Sequence, residues 1–249
     1  MGKKRSFPSS LPAAAQVAVL LLVCSALPAF SAVSGFDRPP LGWSALYGAP
    51  FNQVNETIMI EAARGLNASG LLKYGYKYVV TDDWYAARDP ETDEIMGDPT
   101  KFPSGMAAVG DAIHEAGALF GVYSAASVRT CGNWSASLWR ETKDATTFAN
   151  KWKIDYLKYD SCLYNGGVAS RARYEAMARA LNATGRTIFY SVEGWDPSQG
   201  SWGPELADMW RTGNDIWPKV RRVFKVTTKQ NMSRKRARER ERRERARCC

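Results

Sequence analysis

The chain has 249 residues, 45% of them hydrophobic, enough to bury one sizeable core as a single large domain or as two small ones. Its formal charge of +9 is unevenly placed: residues 219–249 contribute +11 from 14 Lys/Arg and 3 Glu, residues 1–31 contribute +3, and the body between is left at −5. A mildly acidic body excludes the high pI as an argument for nucleic acid or other polyanionic ligands.

The first 31 residues have the layout of a secretory signal: Lys3-Lys4-Arg5, an apolar run from Ala13 to Leu27, then Ala29-Phe30-Ser31 as the small-x-small cleavage site. A membrane anchor fits less well, because Gln16 interrupts a run that already falls short of the roughly 20 residues needed to span. Five N-x-S/T sequons, at Asn55, Asn67, Asn133, Asn182 and Asn231, agree with passage through the secretory pathway, to the exterior or to a lysosome or vacuole. Cys24 lies in the signal and Cys248 and Cys249 at the extreme end, so the body holds Cys131 and Cys162. In an oxidising compartment two such cysteines suit a disulfide better than a metal site, which wants more soft ligands or histidines. The only histidine, His114, falls within an amphipathic helix, where packing is a better account than a catalytic triad.

In chain order, Pro39-Pro40-Leu41-Gly42-Trp43 leads into a first strand with Trp43 near its end. Asn55-Glu56-Thr57 opens a helix with Ile58, Ala62, Leu66 and Leu71 as its apolar stripe, ending by Gly75. A second strand, Tyr76 to Thr81, closes in Asp82-Asp83-Trp84, and Arg88 to Thr100 is predicted to be a long polar loop. Phe102-Pro103-Ser104-Gly105 enters a helix with Met106, Val109 and Ile113 on one face. Ala118 to Ser124 is a third strand, with Tyr123 near its end and Cys131 in the loop beyond. A helix over about Leu138–Trp152 buries Ala145, Phe148, Ala149 and Trp152. The fourth strand is Ile154-Asp155-Tyr156-Leu157-Lys158-Tyr159-Asp160, followed by Ser161-Cys162. Arg171 to Leu181 is a helix with Tyr174, Met177 and Leu181 inward, Thr187 to Val192 a fifth strand ending at Glu193. A short helix near Pro204–Ala207 then precedes a sixth strand around Met209–Thr212, with Arg211 and Asp215 beyond.

Strands alternating with helices define a βαβ repeat. A doubly wound sheet wants one switch-point crevice and a Gly-rich first turn, and Leu41-Gly42-Trp43 offers none. A (β/α)8 barrel instead carries functional groups at the C-terminal ends of its strands, and here all six ends are polar or aromatic. The α/β fold class is therefore a TIM-type barrel, with residues 32–218 as its catalytic domain. Residues 219–249 read as a basic low-complexity tail, helical or disordered. Lys158 and Asp160, two apart on one strand, point the same way into one pocket, which makes Asp160 a candidate nucleophile rather than only a helix cap.

Six motifs carry a resemblance: Pro40-Leu41-Gly42-Trp43, Thr81-Asp82-Asp83, Phe102-Pro103-Ser104-Gly105-Met106, Gly121-Val122-Tyr123-Ser124, Asp155-Tyr156-Leu157-Lys158-Tyr159-Asp160-Ser161-Cys162 and Trp210-Arg211-Thr212-Gly213-Asn214-Asp215-Ile216. Residues 38–218 resemble the glycoside hydrolase family of α-galactosidases and α-N-acetylgalactosaminidases. The resemblance implies Asp160 as nucleophile and Asp215 as acid/base. It implies Trp43, Asp82, Asp83, Tyr123, Lys158, Glu193 and Arg211 as the galactose-binding wall, and a Cys131–Cys162 disulfide. Glu193 with Arg211 suits a free 2-hydroxyl better than an N-acetyl group, which by analogy favours galactosidase. A further cystine of the family is replaced, with Asn52 and Trp84 at its two places.

Retaining hydrolysis needs two carboxyl groups about 5 to 5.5 Å apart, one attacking the anomeric carbon and one protonating the leaving oxygen. Lys158 is expected to keep Asp160 ionised, Asp215 to stay protonated, Asp82 and Asp83 to accept hydrogen bonds from sugar hydroxyls, and Trp43 to offer the ring an apolar face. The substrate is expected to be an α-galactoside, with no cofactor, no metal, no nucleic acid partner and no membrane attachment once the signal is cut. Family members have eight barrel strands and a C-terminal β-sandwich, so six βα units suggest an incomplete barrel and a truncated chain. Two alternatives follow: an inactive or lectin-like secreted fragment, and a metal-dependent barrel enzyme using Asp82, Asp83 and Asp160 as ligands.

Overall fold

The computed structural model describes residues 36, 38–50, 52–164, 170–196 and 198–215. The expected signal at 1–31, the basic tail at 219–249 with Asn231, and Cys24, Cys248 and Cys249 lie outside them. The elements are β1 (Leu41–Ser44), the single turn α1 (Ala45–Gly48), α2 (Glu56–Ala68) and β2 (Tyr76–Val80). Then come β3 (Ala86–Arg88), β4 (Ile95–Gly97), α3 (Gly105–Glu115), β5 (Leu119–Ala125) and α4 (Glu141–Thr146). They are followed by β6 (Tyr156–Asp160), α5 (Ser170–Ala183), β7 (Phe189–Glu193), α6 (Gln199–Leu206) and β8 (Met209–Trp210).

Six strands form one wholly parallel sheet in the order β1-β2-β5-β6-β7-β8, so each lies beside the next in sequence. A doubly wound sheet reverses this order at its switch point; a barrel wall does not. The fold is the expected α/β type, a parallel sheet of the (β/α) barrel kind with six strands among the described residues.

Strand alternation sorts the side chains into two layers. On the helix side Val79, Phe120, Val122, Leu157, Tyr159, Tyr190 and Val192 are buried against Met59, Val109, Ile113, Phe148, Tyr174 and Met177. On the other side Val80, Tyr156 and Phe189 form a separate cluster with Tyr78 and Met209. Gly121 sits there without a side chain, because a Cβ would lie 2.7 Å from Val80 Cγ2 and 3.1 Å from Tyr156 Cβ. The alternation also sends Lys158 and Asp160 to the same side as Tyr156, pairing Lys158 with Tyr123 and Ser191 and Asp160 with Ala125 and Glu193.

The inward stripes expected for the helices over 105–115 and 170–183 are the buried ones observed. The stripe of α2 is only partly the expected one: Leu66 is buried, Ile58 and Ala62 are half-buried beside the buried Met59 and Ala63, and Leu71, beyond the helix, is exposed. The helix starts where expected, with Asn55 as its cap, Oδ1 accepting from Ile58 N at 3.0 Å. Asn67, Asn133 and Asn182 are exposed. The predicted helix over 138–152 begins at Glu141 and widens into a π turn over Thr147–Lys151. That extra residue per turn still leaves Ala145, Phe148, Ala149 and Trp152 buried.

The predicted loop from Arg88 to Thr100 contains half of an antiparallel hairpin, β3 with β4. Arg88 fastens it, donating to Asp144 Oδ1 of α4 at 2.9 Å and to Ala136 O at 2.7 Å. Asp144 is fully buried, so this pair anchors the hairpin and the Cys131 loop to one helix.

Candidate active site

The strand ends converge on a hollow of about 420 Å³, within the range of small-molecule sites. Asp82, Lys158, Glu193, Arg211 and Asp215 line it, together with Ser44, Leu46 and Tyr47 from the start of the first βα connection. Residues supplied by β2, β6, β7 and β8 thus meet at one end of the sheet, as the barrel reading requires.

Charge runs through the hollow as a chain of alternating sign. Lys158 Nζ lies 2.7 Å from Asp82 Oδ2 and 3.5 Å from Glu193 Oε2. Arg211 Nη2 lies 2.9 Å from the same Glu193 oxygen and 2.8 Å from Asp215 Oδ1. Burial disfavours the Lys158 ammonium, but the charges of Asp82 and Glu193 outweigh it and hold its pKa above the usual lysine range. Burial likewise opposes the Arg211 charge, and Glu193 and Asp215 more than compensate.

Asp160 is not among the residues lining the hollow, and 5% of its surface is exposed. Its Oδ1 accepts from Ser161 N at 2.7 Å and its Oδ2 from the Tyr123 hydroxyl at 3.1 Å. Burial pushes its carboxyl up to about 6; Ser161 N–H opposes this, Glu193 adds to it, and Lys158 and Arg211 lower it less. Lys158 was expected to be the ionising partner of Asp160. Instead its ammonium is committed to Asp82 and Glu193 on the flanking strands, and burial decides the shift.

Tyr123 adjoins Asp160, and neither it nor Asp83 is among the residues lining the hollow. Asp83 Oδ2 accepts from Gly132 N at 2.7 Å and Oδ1 from Trp84 N at 2.7 Å, so its carboxylate orders the Cys131 loop. Burial raises its pKa, opposed by Thr130 and by those two N–H groups. Tyr123 sits under Lys158, whose Nζ is 5.2 Å from the ring centroid. Cys131 and Cys162 form a disulfide with a Cα separation of 4.8 Å, tying the loop after β5 to the end of β6. Asn52 and Trp84 are joined by Lys101, whose Nζ donates to Asn52 O at 3.1 Å and Trp84 O at 2.8 Å.

Trp43 departs from expectation. A register shift between Leu41 and Gly42 pairs it with Val79, and its side chain packs against the helix-side core. Its indole abuts Gly48, where a Cβ would fall 2.1 Å from Nε1, and it is not among the residues lining the hollow. The aromatic that does line it from this connection is Tyr47, 54% exposed. The mark Tyr47 leaves in the sequence is its place three residues past the end of β1, beyond the more prominent Trp43. The metal reading fails on geometry: Asp82 is paired with Lys158 and Asp83 with backbone N–H groups. Among the described residues the one three-ligand cluster is Cys131, Asp160 and Cys162, whose sulfurs are bonded to each other.

With the parallel sheet and carboxylate-lined hollow in view, comparison with known proteins is specific. The family model described as Alpha galactosidase A matches residues 47–235, and the chain belongs to that family. An α-galactosidase of Saccharomyces paradoxus is 43% identical over 185 residues, covering 72% of this chain and 38% of the relative. One of Schizosaccharomyces pombe is 38% identical, covering 72% and 42%. The structure of α-galactosidase I from Mortierella vinacea aligns with a TM-score of 0.68 at 38% identity, covering 72% of this chain and 46% of that one. That of a Saccharomyces cerevisiae α-galactosidase with raffinose gives 0.69 at 36%, covering 73% and 41%. The chain thus spans about two fifths of the length of the relatives it matches.

Proposed function

We propose that residues 32–218 carry the catalytic machinery of a retaining α-galactosidase that travels the secretory pathway. Asp160 attacks the anomeric carbon of a terminal α-galactoside as the glycosidic bond breaks and Asp215 gives its proton to the leaving oxygen. Asp215 then takes a proton from water, which displaces Asp160 from the sugar. Asp82 accepts hydrogen bonds from sugar hydroxyls while Lys158 and Arg211 donate to them. Glu193, bridged to both cations, serves in this reading as the acceptor for a free 2-hydroxyl. Asp83 and Tyr123 act here by positioning the Cys131 loop and Asp160.

The observation that carries this reading is the single charge chain from Asp82 through Lys158, Glu193 and Arg211 to Asp215 at the strand ends beside Asp160. The test is hydrolysis of an aryl α-galactoside by the purified chain and by its Asp160→Asn and Asp215→Asn variants. Turnover by the parent and its loss in both variants is expected; activity persisting in both refutes the roles. One observation favours a second reading, galactose binding without turnover: Asp215 Oδ1 is held by Arg211 while the polar chain that would read the sugar is complete. Saturable galactose binding with no hydrolysis would establish that reading instead.

A further inference from the structure

Near the Asp160 carboxylate lies a buried cation that the proposed mechanism does not use. Arg173, on α5, is 6% exposed. Its Nη1 donates to Ser161 Oγ at 2.9 Å and to Ala126 O, and its guanidinium carbon stands 3.6 Å from the centre of the Tyr164 ring. Among the described residues no carboxylate pairs with it, and its Nε is buried without an acceptor. Taking an ion out of water without a counter-charge is costly, and two neutral oxygens and a ring face offset this only in part. An apolar side chain of similar length would fill the same space at less cost, so stability alone is a weak account of Arg173.

Its two acceptors have something in common. Ala126 and Ser161 each lie one residue past a strand, β5 and β6, and each bonds to Asp160. Ala126 N donates to Asp160 O at 2.7 Å, and Ser161 N donates to Asp160 Oδ1 at 2.7 Å. One guanidinium nitrogen thus holds both residues that fix the Asp160 main chain and one of its carboxylate oxygens. The Cys131–Cys162 disulfide joins the same two loops further along, so Arg173 is the nearer tie. A reacting group misplaced by about 1 Å can lose on the order of a hundredfold in rate, so this peptide's orientation matters far more to reaction than to sugar binding.

We propose that Arg173 is a positioning residue for Asp160: from behind the sheet it locks the peptide frame of the carboxylate, without lining the hollow itself. This rests on the reading of Asp160 as nucleophile. The experiment compares the full chain with Arg173→Met, Arg173→Lys and Ser161→Ala. It measures galactose binding, hydrogen exchange at the Ser161 amide, and kcat on an aryl α-galactoside counted per galactose-binding site. Counting per site separates positioning from a mere loss of folded protein.

In Arg173→Met, kcat per site should fall about tenfold while KM and the galactose Kd stay within about twofold, and Arg173→Lys, which keeps a donor and the charge, should recover most of the loss. The Ser161 amide should exchange faster in Arg173→Met while β5 and β7 stay protected. An unchanged kcat per site, with binding sites lost in step with activity, or an unchanged Ser161 amide, overturns the positioning role and leaves the hydrolase reading intact. Should Arg173→Met bind no galactose at all, Ser161→Ala decides, since it cuts one link and keeps the N–H to Asp160: a fall of about threefold per site is expected, and a parent-like value overturns the role. Absence of turnover by the parent chain overturns the hydrolase reading, and the positioning role with it.

Discussion

Asp160→Asn is expected to abolish turnover and to make the protein more stable at neutral pH. The carboxyl is 5% exposed, and its pKa is pushed from 3.8 to about 6, chiefly by burial. Because the folded pKa lies above the unfolded one, the folded state binds more protons across that window, and stability falls as pH rises through it. Above about pH 6 the ionised carboxylate costs on the order of 3 kcal/mol, and below about pH 4 it costs nothing. Asparagine removes the charge and keeps the shape: Oδ1 can still accept from Ser161 N, and Nδ2 can donate to the Tyr123 oxygen. Melts near pH 7 should show a gain of about 6 to 12 °C for the variant, shrinking to nothing near pH 4. In the parent, kcat/KM should rise with pH through about 6 as Asp160, the proposed nucleophile, ionises. A variant less stable than the parent at neutral pH, or a gain independent of pH, would refute the argument that burial strains this carboxylate.

Lys158→Met should act in the opposite direction, since it strands Asp82 and Glu193 beside each other in a largely buried site. A loss of about 3 to 5 kcal/mol in denaturant unfolding is expected, together with loss of galactose binding, and a variant within about 1 kcal/mol of the parent contradicts the pairing. Lys101→Met removes the link between Asn52 and Trp84, costing about 1 to 2 kcal/mol, because its bonds are charge-assisted but only partly buried. Hydrogen exchange should then quicken at the backbone around residues 52 and 84 while β6 stays protected; uniform quickening would mean that Lys101 does not act locally.

Much of this architecture was legible in the sequence because its periods are clean. Met106, Val109 and Ile113, or Tyr174, Met177 and Leu181, recur at helical spacing and are buried as expected. Lys158 and Asp160 share a face because strands alternate by two. What stayed hidden depends on irregularity or on neighbours distant in sequence. The shift in β1 that turns Trp43 toward the core leaves no mark in Leu41-Gly42-Trp43, and strands as short as Ala86–Arg88 and Ile95–Gly97 fall below any periodic signal. The partners of Lys158 come from β2 and β7, and only the assembled sheet decides between them and the acid two residues away.

The two-residue alternation of β6 also makes this strand intolerant of insertions and deletions. Losing one residue between Tyr156 and Lys158 would send Lys158 and Asp160 into the layer now filled by Leu157 and Tyr159, where Phe148 and Tyr174 wait without a counter-charge. Such a shift in register would not merely loosen the sheet; it would drive two ions among apolar side chains and an aromatic ring into the hollow. Natural variation in this stretch should therefore run to replacements and almost never to changes in length.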